Sequence, residues 1–347
     1  MATLADIARR ARVSVATVSR ALNASGYVRP EVRERILAIA RELDYVPNRT
    51  ALGLLTRRTE LALLLVPDVT NPFFAAVARG VEDALAASGY ELVVGNTDDN
   101  PFKERHYLRR ALGRGIDGII AIVASSDEGD AAHWRQAGVP LVLVDRACDG
   151  VTADAVLANN EGGAYQAARH LLSLGHQHVA TITGPLRLKT AQQRLAGFWR
   201  AVREFRLPAE QVAVVEGDFR EEGGYRAMRE LLGRTPRPTA VFAANDVMAL
   251  GARAALEEAG LCVPDDVAVA GYDDIPYGLR VRPKLTTVAQ PKYEMGAAAA
   301  ELRLRRLAEP GRPLQTVLLE PRLVIRESSV VRQTLQQAEG PQGARPR

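Results

Sequence analysis

The sequence predicts a small all-helical helix-turn-helix head followed by an α/β core of two lobes, each a doubly wound parallel sheet. Three observations carry that expectation. The chain has 347 residues, about twice a typical domain length. Its first 43 residues repeat apolar side chains at helical spacing only. From residue 61 onward, apolar strand-like runs alternate with amphipathic helical stretches, and the cycle begins again near residue 160.

Leu4, Ile7, Ala8 and Ala11 recur at spacings of three and four, the stripe of a first short helix. Val13 fills a turn, and Ser14 offers an N-cap to a second helix from Val15 to Leu22, whose inward face is Val18, Ala21 and Leu22. Small Ala8 lets the two helices approach closely. In a helix-turn-helix the second helix lies in the DNA major groove. Its outward residues here are Val15, Ala16, Thr17, Ser19 and Arg20. The Arg20 fork matches guanine O6 and N7, Val15 and Ala16 suit thymine methyls, and Ser14, Thr17 and Ser19 can reach phosphates. A third helix, Pro30 to Leu43, turns Val32, Ile36, Ile39, Ala40 and Leu43 inward. Pro47 then breaks the chain, and Asn48 can cap one or two further turns that carry Leu54 and Leu55. So short a helix orders only against a partner helix or DNA, where Leu54 is the type of apolar wedge that kinks a minor groove.

Charge follows the same division. Residues 1–60 hold eleven Arg and no Lys against six acids, a balance of +5 that leaves −1 on the rest of a chain of net charge +4. A basic head on a near-neutral body points to a polyanion at one end and a different task at the other.

In the body the expected elements are strand 61–66, helix 73–88, strand 91–94, helix 103–112, strands 118–123 and 141–144, then helix 163–174, strand 179–183, helix 191–205, strand 212–215, helix 223–232, strand 240–243, helix 247–259, strand 267–270 and helix 293–307. Ligands of such sheets bind beyond the carboxyl ends of the strands, so residues just after each strand should line a cleft between the lobes. Those strand ends carry Asp68 to Phe74, Asp145-Arg146, Gly184-Pro185, Phe219, Asn245-Asp246 and Gly271 to Asp274, with Arg194 on a nearby helix. Aromatic planes mixed with carboxylates, an amide and an arginine suit a polyhydroxylated ring. Asp273 and Arg194 would hold hydroxyls, Asn245 would add a bond, and Phe73 or Phe219 would stack on an apolar ring face. Asp274 reads as structural.

Other chemistries lack an anchor. Cys148 and Cys262 lie far apart and read as small buried packing residues, with neither disulfide nor zinc spacing. His176 and His178 have no third ligand nearby, so no metal is expected. No glycine-flanked nucleophilic serine and no phosphate loop appears, so the chain reads as no enzyme and as needing no cofactor. No apolar run reaches the roughly 20 residues that span a bilayer, and Met1 is followed by amphipathic sequence instead of a signal peptide, which predicts a cytoplasmic protein without a membrane partner. The tail, 330–347, is rich in Pro, Gly and Gln without heptads and is expected to be disordered.

The run Thr3-Leu4-Ala5-Asp6-Ile7-Ala8, then Val13 to Asn23, then Leu43-Asp44-Tyr45-Val46-Pro47-Asn48 resembles the DNA-binding head and hinge of the lactose and galactose repressor (LacI/GalR) family. The likeness continues to about residue 328 through Pro67 to Phe74, Leu143 to Arg146, Gly175-His176, Arg194 to Phe198, Ala244-Asn245-Asp246, Gly271 to Asp274 and Leu323 to Ser329, which are similar to the family's periplasmic-binding-protein-like core. The resemblance implies four segments: a helix-turn-helix domain at 1–46, a hinge helix and linker at 47–60, a core at 61–329 and the tail. Lobe 1 would be 61–159 plus 290–320, and lobe 2 would be 160–289 plus 321–329. It implies a homodimeric transcriptional repressor that binds pseudo-palindromic operator DNA through Thr3, Ser14, Val15, Ala16, Thr17, Ser19, Arg20, Asn23, Tyr45, Asn48 and Leu54, paired Leu54 side chains wedging the central step. A small effector, a sugar or sugar derivative, would sit between the lobes against Phe73, Phe74, Asp145, Thr190, Arg194, Phe219, Asn245 and Asp273, with Arg194, Asn245 and Asp273 foremost.

Departures from the family are specific. Arg29-Pro30 stands where many members have a Ser or Thr cap, and Leu55 where some are basic. Leu188 stands where purine-responsive members carry a basic residue, which argues against a purine. Two other readings stay open. Lys189 beside Thr190 leaves room for an anionic group, so a phosphorylated metabolite, a nucleoside or a partner protein could act as corepressor. A solute-binding transport component would use the same two lobes, although the basic head argues against it.

Overall fold

The computed structural model describes residues 2–23, 26–45 and 58–330. They belong to two units, Met1–Thr59 and Glu60–Arg347. Asn48, Leu54 and most of the expected hinge, together with the tail from residue 331, lie outside the described residues.

The first unit contains α1 (Leu4–Ala11), α2 (Val15–Leu22) and α3 (Pro30–Glu42). Thr3 and Asp6 form a reciprocal capping box that starts α1. Arg12 ends the helix in the left-handed region at φ 55°, its backbone N–H turned back to the Ala8 and Arg9 carbonyls. That single residue makes the turn, and Ser14 then caps α2 by accepting the Thr17 N–H. No side chain caps α3, where Arg29 precedes Pro30. Ile7, Ala8, Ala11, Val18, Ala21, Ile36, Ile39 and Ala40 make the core, and an Arg10–Glu42 ion pair at 2.6 Å ties α1 to α3.

The second unit holds two parallel sheets. Lobe 1 comprises β1 (Leu61–Val66), α4 (Pro72–Ala86), β2 (Glu91–Asn96), α5 (Pro101–Leu112), β3 (Ile119–Ala121), α6 (Ala132–Arg135), β4 (Leu141–Val144) and β5 (Asp154–Ala158). Lobe 2 comprises α7 (Asn160–Ser173), β6 (Val179–Thr183), α8 (Lys189–Glu204), β7 (Val212–Glu216), α9 (Glu221–Leu232), β8 (Ala240–Ala243), α10 (Asp246–Glu258) and β9 (Ala268–Ala270). The chain then returns through β10 (Thr287–Ala289) to α11 (Lys292–Ala308) and β11 (Thr316–Leu319) in lobe 1, and ends on β12 (Arg322–Val324), antiparallel to β10. The strand orders are β11-β5-β4-β3-β1-β2 and β7-β6-β8-β9.

Strand β1 reads Leu-Ala-Leu-Leu-Leu-Val because it is buried on both faces. Ala62, Leu64 and Val66 face the α4 and α11 layer, and Leu63 and Leu65 face α5. Helices α4 and α11 cross at Gly80 and Gly296. A Cβ on Gly80 would strike the Tyr293 carbonyl, and one on Gly296 the Val77 carbonyl. The short elements β5, β10, β11, β12 and α6 were not expected from the sequence, and several helices begin one to three residues earlier than expected. Cys148 is buried as expected, but Cys262 is exposed. It lies in the loop after α10, where the backbone does the packing: its N–H donates to the Asp266 carboxylate at 2.7 Å and its carbonyl accepts the Asp266 N–H at 2.9 Å.

Candidate functional site

Two regions gather the residues singled out above, one in each unit. In the head, α2 turns Val15, Ala16 and Arg20 outward while Val18 and Ala21 hold it to the core. Ser14 Oγ lies 2.8 Å from Thr17 Oγ1, and Asn23 Nδ2 donates to Ser19 Oγ at 3.3 Å, so the hydroxyls flanking the exposed face are oriented by local bonds. Thr3 is exposed, its hydroxyl donating to Asp6 Oδ2 at 2.7 Å. Tyr45 is half-buried against the head core, and its N–H donates to the Ala40 carbonyl at 2.9 Å.

In the core unit, a cavity opens between the carboxyl ends of the two sheets. All eight residues expected there line it: Phe73, Phe74, Asp145, Thr190, Arg194, Phe219, Asn245 and Asp273. Helix caps and helix faces place several of them. Asn71 caps α4 by accepting the Phe73 N–H at 2.9 Å, which places two aromatic rings edge to face, 5.1 Å apart, at the cavity wall. Asn245 caps α10 through the Met248 N–H and donates its amide to the Phe219 carbonyl at 3.0 Å. Thr190 and Arg194 share one face of α8, four residues apart.

Arg194 is nearly fully buried and fixed on three sides. Its Nε donates to Asn160 Oδ1 at 2.8 Å, its Nη1 to the Ala244 carbonyl at 2.6 Å, and the guanidinium sits 3.9 Å above the Tyr272 ring. Nη1 also lies 3.6 Å from Asp273 Oδ1. Gln290 donates to that same oxygen at 2.8 Å. Burial pushes the Asp273 carboxyl up to about 6, against the pull of Arg194 and the Gln290 bond. Burial likewise raises Asp145, with Arg146 and Arg194 opposing it. Behind the wall, buried Asp246 accepts Thr287 Oγ1 at 2.6 Å and the Ile275 N–H at 2.8 Å, and its carboxyl is raised further by burial and by the nearby Asp273 charge. Asp145 Oδ1 and Arg146 Nε are buried without a hydrogen-bond partner among the described residues.

Backbone strain concentrates at the same place. Asp99, Asp145, Phe219 and Asp273 all line the cavity with positive φ, at 54°, 64°, 64° and 110°. Non-glycine residues hold such conformations only where the surroundings enforce them, and they cluster at binding sites.

The cavity also takes Asp68, Asn71 and Arg146, which were among the strand-end residues expected to line it, and Asp99, Asp218 and Arg220, which were not expected there. Asp99 follows β2 as Asp68 follows β1, so the strand-end rule applied to β2 finds it. Arg146 is ion-paired with Asp99 and packs over Phe74, its guanidinium 5.9 Å from the ring centre. Five carboxylates against three arginines line the cavity, with Arg146 facing Asp99 and Asp145, and Arg194 facing Asp273. Lys189, the residue that could serve an anionic group, is not among the lining residues: it is ion-paired with Asp149, and its N–H donates to Ser126 Oγ at 3.2 Å. Leu188 is fully buried. His176 and His178 lie away from the cavity, His176 Nδ1 2.9 Å from Thr239 Oγ1. Asp274 is ion-paired with Arg326 at 2.6 Å, the structural role expected of it.

Comparison with known proteins covers both regions. Residues 3–48 match the family model of bacterial regulatory proteins of the lacI family, and residues 168–329 match a periplasmic binding protein-like domain. The ribose operon repressor of Haemophilus influenzae is 37% identical over 328 residues, which cover 94% of this chain and 98% of that repressor. The HTH-type transcriptional repressor PurR of Klebsiella pneumoniae is 36% identical over 330 residues, covering 94% of this chain and 97% of its own. Among solved structures, a LacI family transcriptional regulator from Enterococcus faecium with bound ribose has a TM-score of 0.71 at 34% identity, covering 78% of this chain and 98% of that one. The lac repressor dimer bound to operator and the anti-inducer ONPF has a TM-score of 0.85 at 29% identity, covering 95% and 99%.

Proposed function

This chain belongs to the lacI family of bacterial regulatory proteins and is a DNA-binding transcriptional repressor with a small-molecule effector rather than an enzyme; from that premise we propose that the effector is a neutral sugar held in the core cavity. The observation that carries this reading is the cavity's composition. Aromatic rings stand beside buried carboxylates, one of whose oxygens has no partner, and two of the three arginines, Arg146 and Arg194, are already matched by carboxylates. An anion would meet an excess of negative charge there, whereas hydroxyl groups can donate to the carboxylates and accept from Arg146 and Arg194. The ribose operon repressor and the ribose-bound regulator among the relatives support a monosaccharide.

On this reading the protein acts in the cytoplasm as a homodimer on a pseudo-palindromic operator. Val15, Ala16 and Arg20 read bases, and Ser14, Thr17, Ser19, Thr3, Asn23 and Tyr45 position the head. Asn48 and Leu54 complete the contact through the hinge segment. Effector in the cavity favours one angle between the lobes and thereby alters operator affinity. Among the described residues, no helix is long and apolar enough to cross a membrane.

Thermal shift against pentoses, hexoses, sugar phosphates and nucleosides tests the effector, because a ligand that binds only the folded state raises the melting temperature. A neutral sugar should raise it and change operator affinity. Arg194→Ala should weaken that sugar at least tenfold, because it removes a donor and leaves Asp273 buried without its cation. A shift with sugar phosphates or nucleosides only would overturn the neutral-sugar reading.

A further inference from the structure

Phe219 enters the cavity from the segment between β7 and α9, and its position is set at three points. Its backbone is left-handed at φ 64°, its carbonyl accepts the Asn245 amide at 3.0 Å, and the Arg194 guanidinium lies 5.8 Å from its ring centre. The ring itself rests on Gly184, just after β6. A Cβ built there would run into the Cζ, Cε1 and Cε2 atoms of the ring, so the aromatic plane occupies the space that any other residue's side chain would fill. Gly184 has no positive φ to explain it, and it was expected only as a strand-end residue, without a role of its own. Its use is the close approach alone.

We propose that Gly184 is a positioning residue that sets how far the Phe219 ring reaches into the cavity, and through that ring the thickness and width of the sugar the site accepts. This rests on the sugar reading above. The physical basis is that side chains around a packed site have little slack. A methyl group at residue 184 must displace the ring, since the Phe219 backbone is pinned by Asn245 and cannot retreat with it. Any displacement of the ring changes the space it shares with Arg194 and Asp273, where a sugar face would stack.

A double-mutant cycle tests it in the full-length protein. Affinity for the sugar that gives the largest thermal shift, D-ribose being the first probe, is measured by calorimetry for wild type, Gly184→Ala, Phe219→Ala and the double variant. If Gly184 acts through the ring, Gly184→Ala lowers affinity at least tenfold in the wild-type background and less than twofold once Phe219 is alanine. Equal loss in both backgrounds, or no loss in either, overturns the proposal. Melting temperatures without ligand separate a folding defect from a shifted ring. A crystal structure of Gly184→Ala supplies an arm that needs no sugar: a displaced Phe219 ring supports the proposal, and an unmoved ring overturns it. Absence of any response of wild type to sugars, with a displaced ring in that structure, would sink the sugar reading and leave the positioning role standing.

Discussion

Asp273 combines a strained backbone, near-complete burial and a carboxyl raised to about 6 from its ordinary 3.8. Because the folded value lies above the unfolded one, its contribution to stability is complete below about pH 4 and is lost as pH rises through about 6, at most about 3 kcal/mol. The melting temperature of wild type should therefore fall relative to Asp273→Asn over that window, and parallel curves would show that the residue titrates normally. Sugar hydroxyls donate to the ionised form, so effector affinity should rise as pH climbs through about 6 and then level off. Calorimetric titration across that range checks it, and a flat profile removes Asp273 from the contacts. In the head, Arg20 is exposed on α2 with no ion pair to the described residues. Arg20→Ala should relax base preference at one half-site position by about 1–3 kcal/mol, read by binding to a set of operator variants.

At the scale of elements, the crossing of α4 and α11 shows how glycine can hold a lobe together. In an exposed helix Gly→Ala stabilises by roughly 1 kcal/mol, but at Gly80 the new Cβ meets a backbone carbonyl that no side-chain rotation can move. Gly80→Ala should destabilise the core by about 1–3 kcal/mol in denaturant unfolding, and a gain in stability would show that the two helices can separate freely. The same contrast explains what sequence made legible. Long elements with strong periodicity, such as α4, α8 and β1, announced themselves, and so did the strand-end residues that line the cavity. The unexpected strands β5, β10, β11 and β12 have three to five residues each and owe their existence to pairing with distant partners, as when buried Asp154 on β5 holds Arg306 of α11 at 2.9 Å. Arg146 was read among the strand-end residues, whereas Asp99 was not, because its ion-pair partner Arg146 lies 47 residues away in the chain. Cys262 looked like a packing residue because the type is commonly buried, yet its loop is ordered through main-chain bonds.

For the molecule as a whole, effector response depends on contacts that join the lobes. The ion pair of Lys189 on lobe 2 with Asp149 on lobe 1 joins the lobes next to Thr190, which lines the cavity. Both side chains are partly exposed, so the pair is screened and modest. Asp149→Ala should weaken effector binding about twofold to fivefold at low salt, with the difference shrinking as salt is raised. An effect that does not change with salt would place the role of Asp149 elsewhere. The other link is the chain itself, which crosses between the lobes near residues 159, 290 and 320, with Asn159 donating to Glu320 at 3.0 Å where two crossings meet. Neither lobe is continuous in sequence, and this bears on how the protein is made. Lobe 1 begins with β1, but the α11 residues Met295, Ala299, Ala300 and Leu302 that cover one face of its sheet are translated some 230 residues later. At about 5–20 residues per second, the apolar face of a growing repressor stays uncovered for roughly 10–45 s on the ribosome. The parallel sheet of lobe 2 and its flanking helices, complete by β9, are synthesised within that interval, and only β12 and the residues that follow it arrive after α11. A stop codon between β9 and α11 therefore yields a chain with the parallel sheet of the second lobe in place and one face of the first lobe's sheet uncovered, a natural substrate for chaperones and proteases.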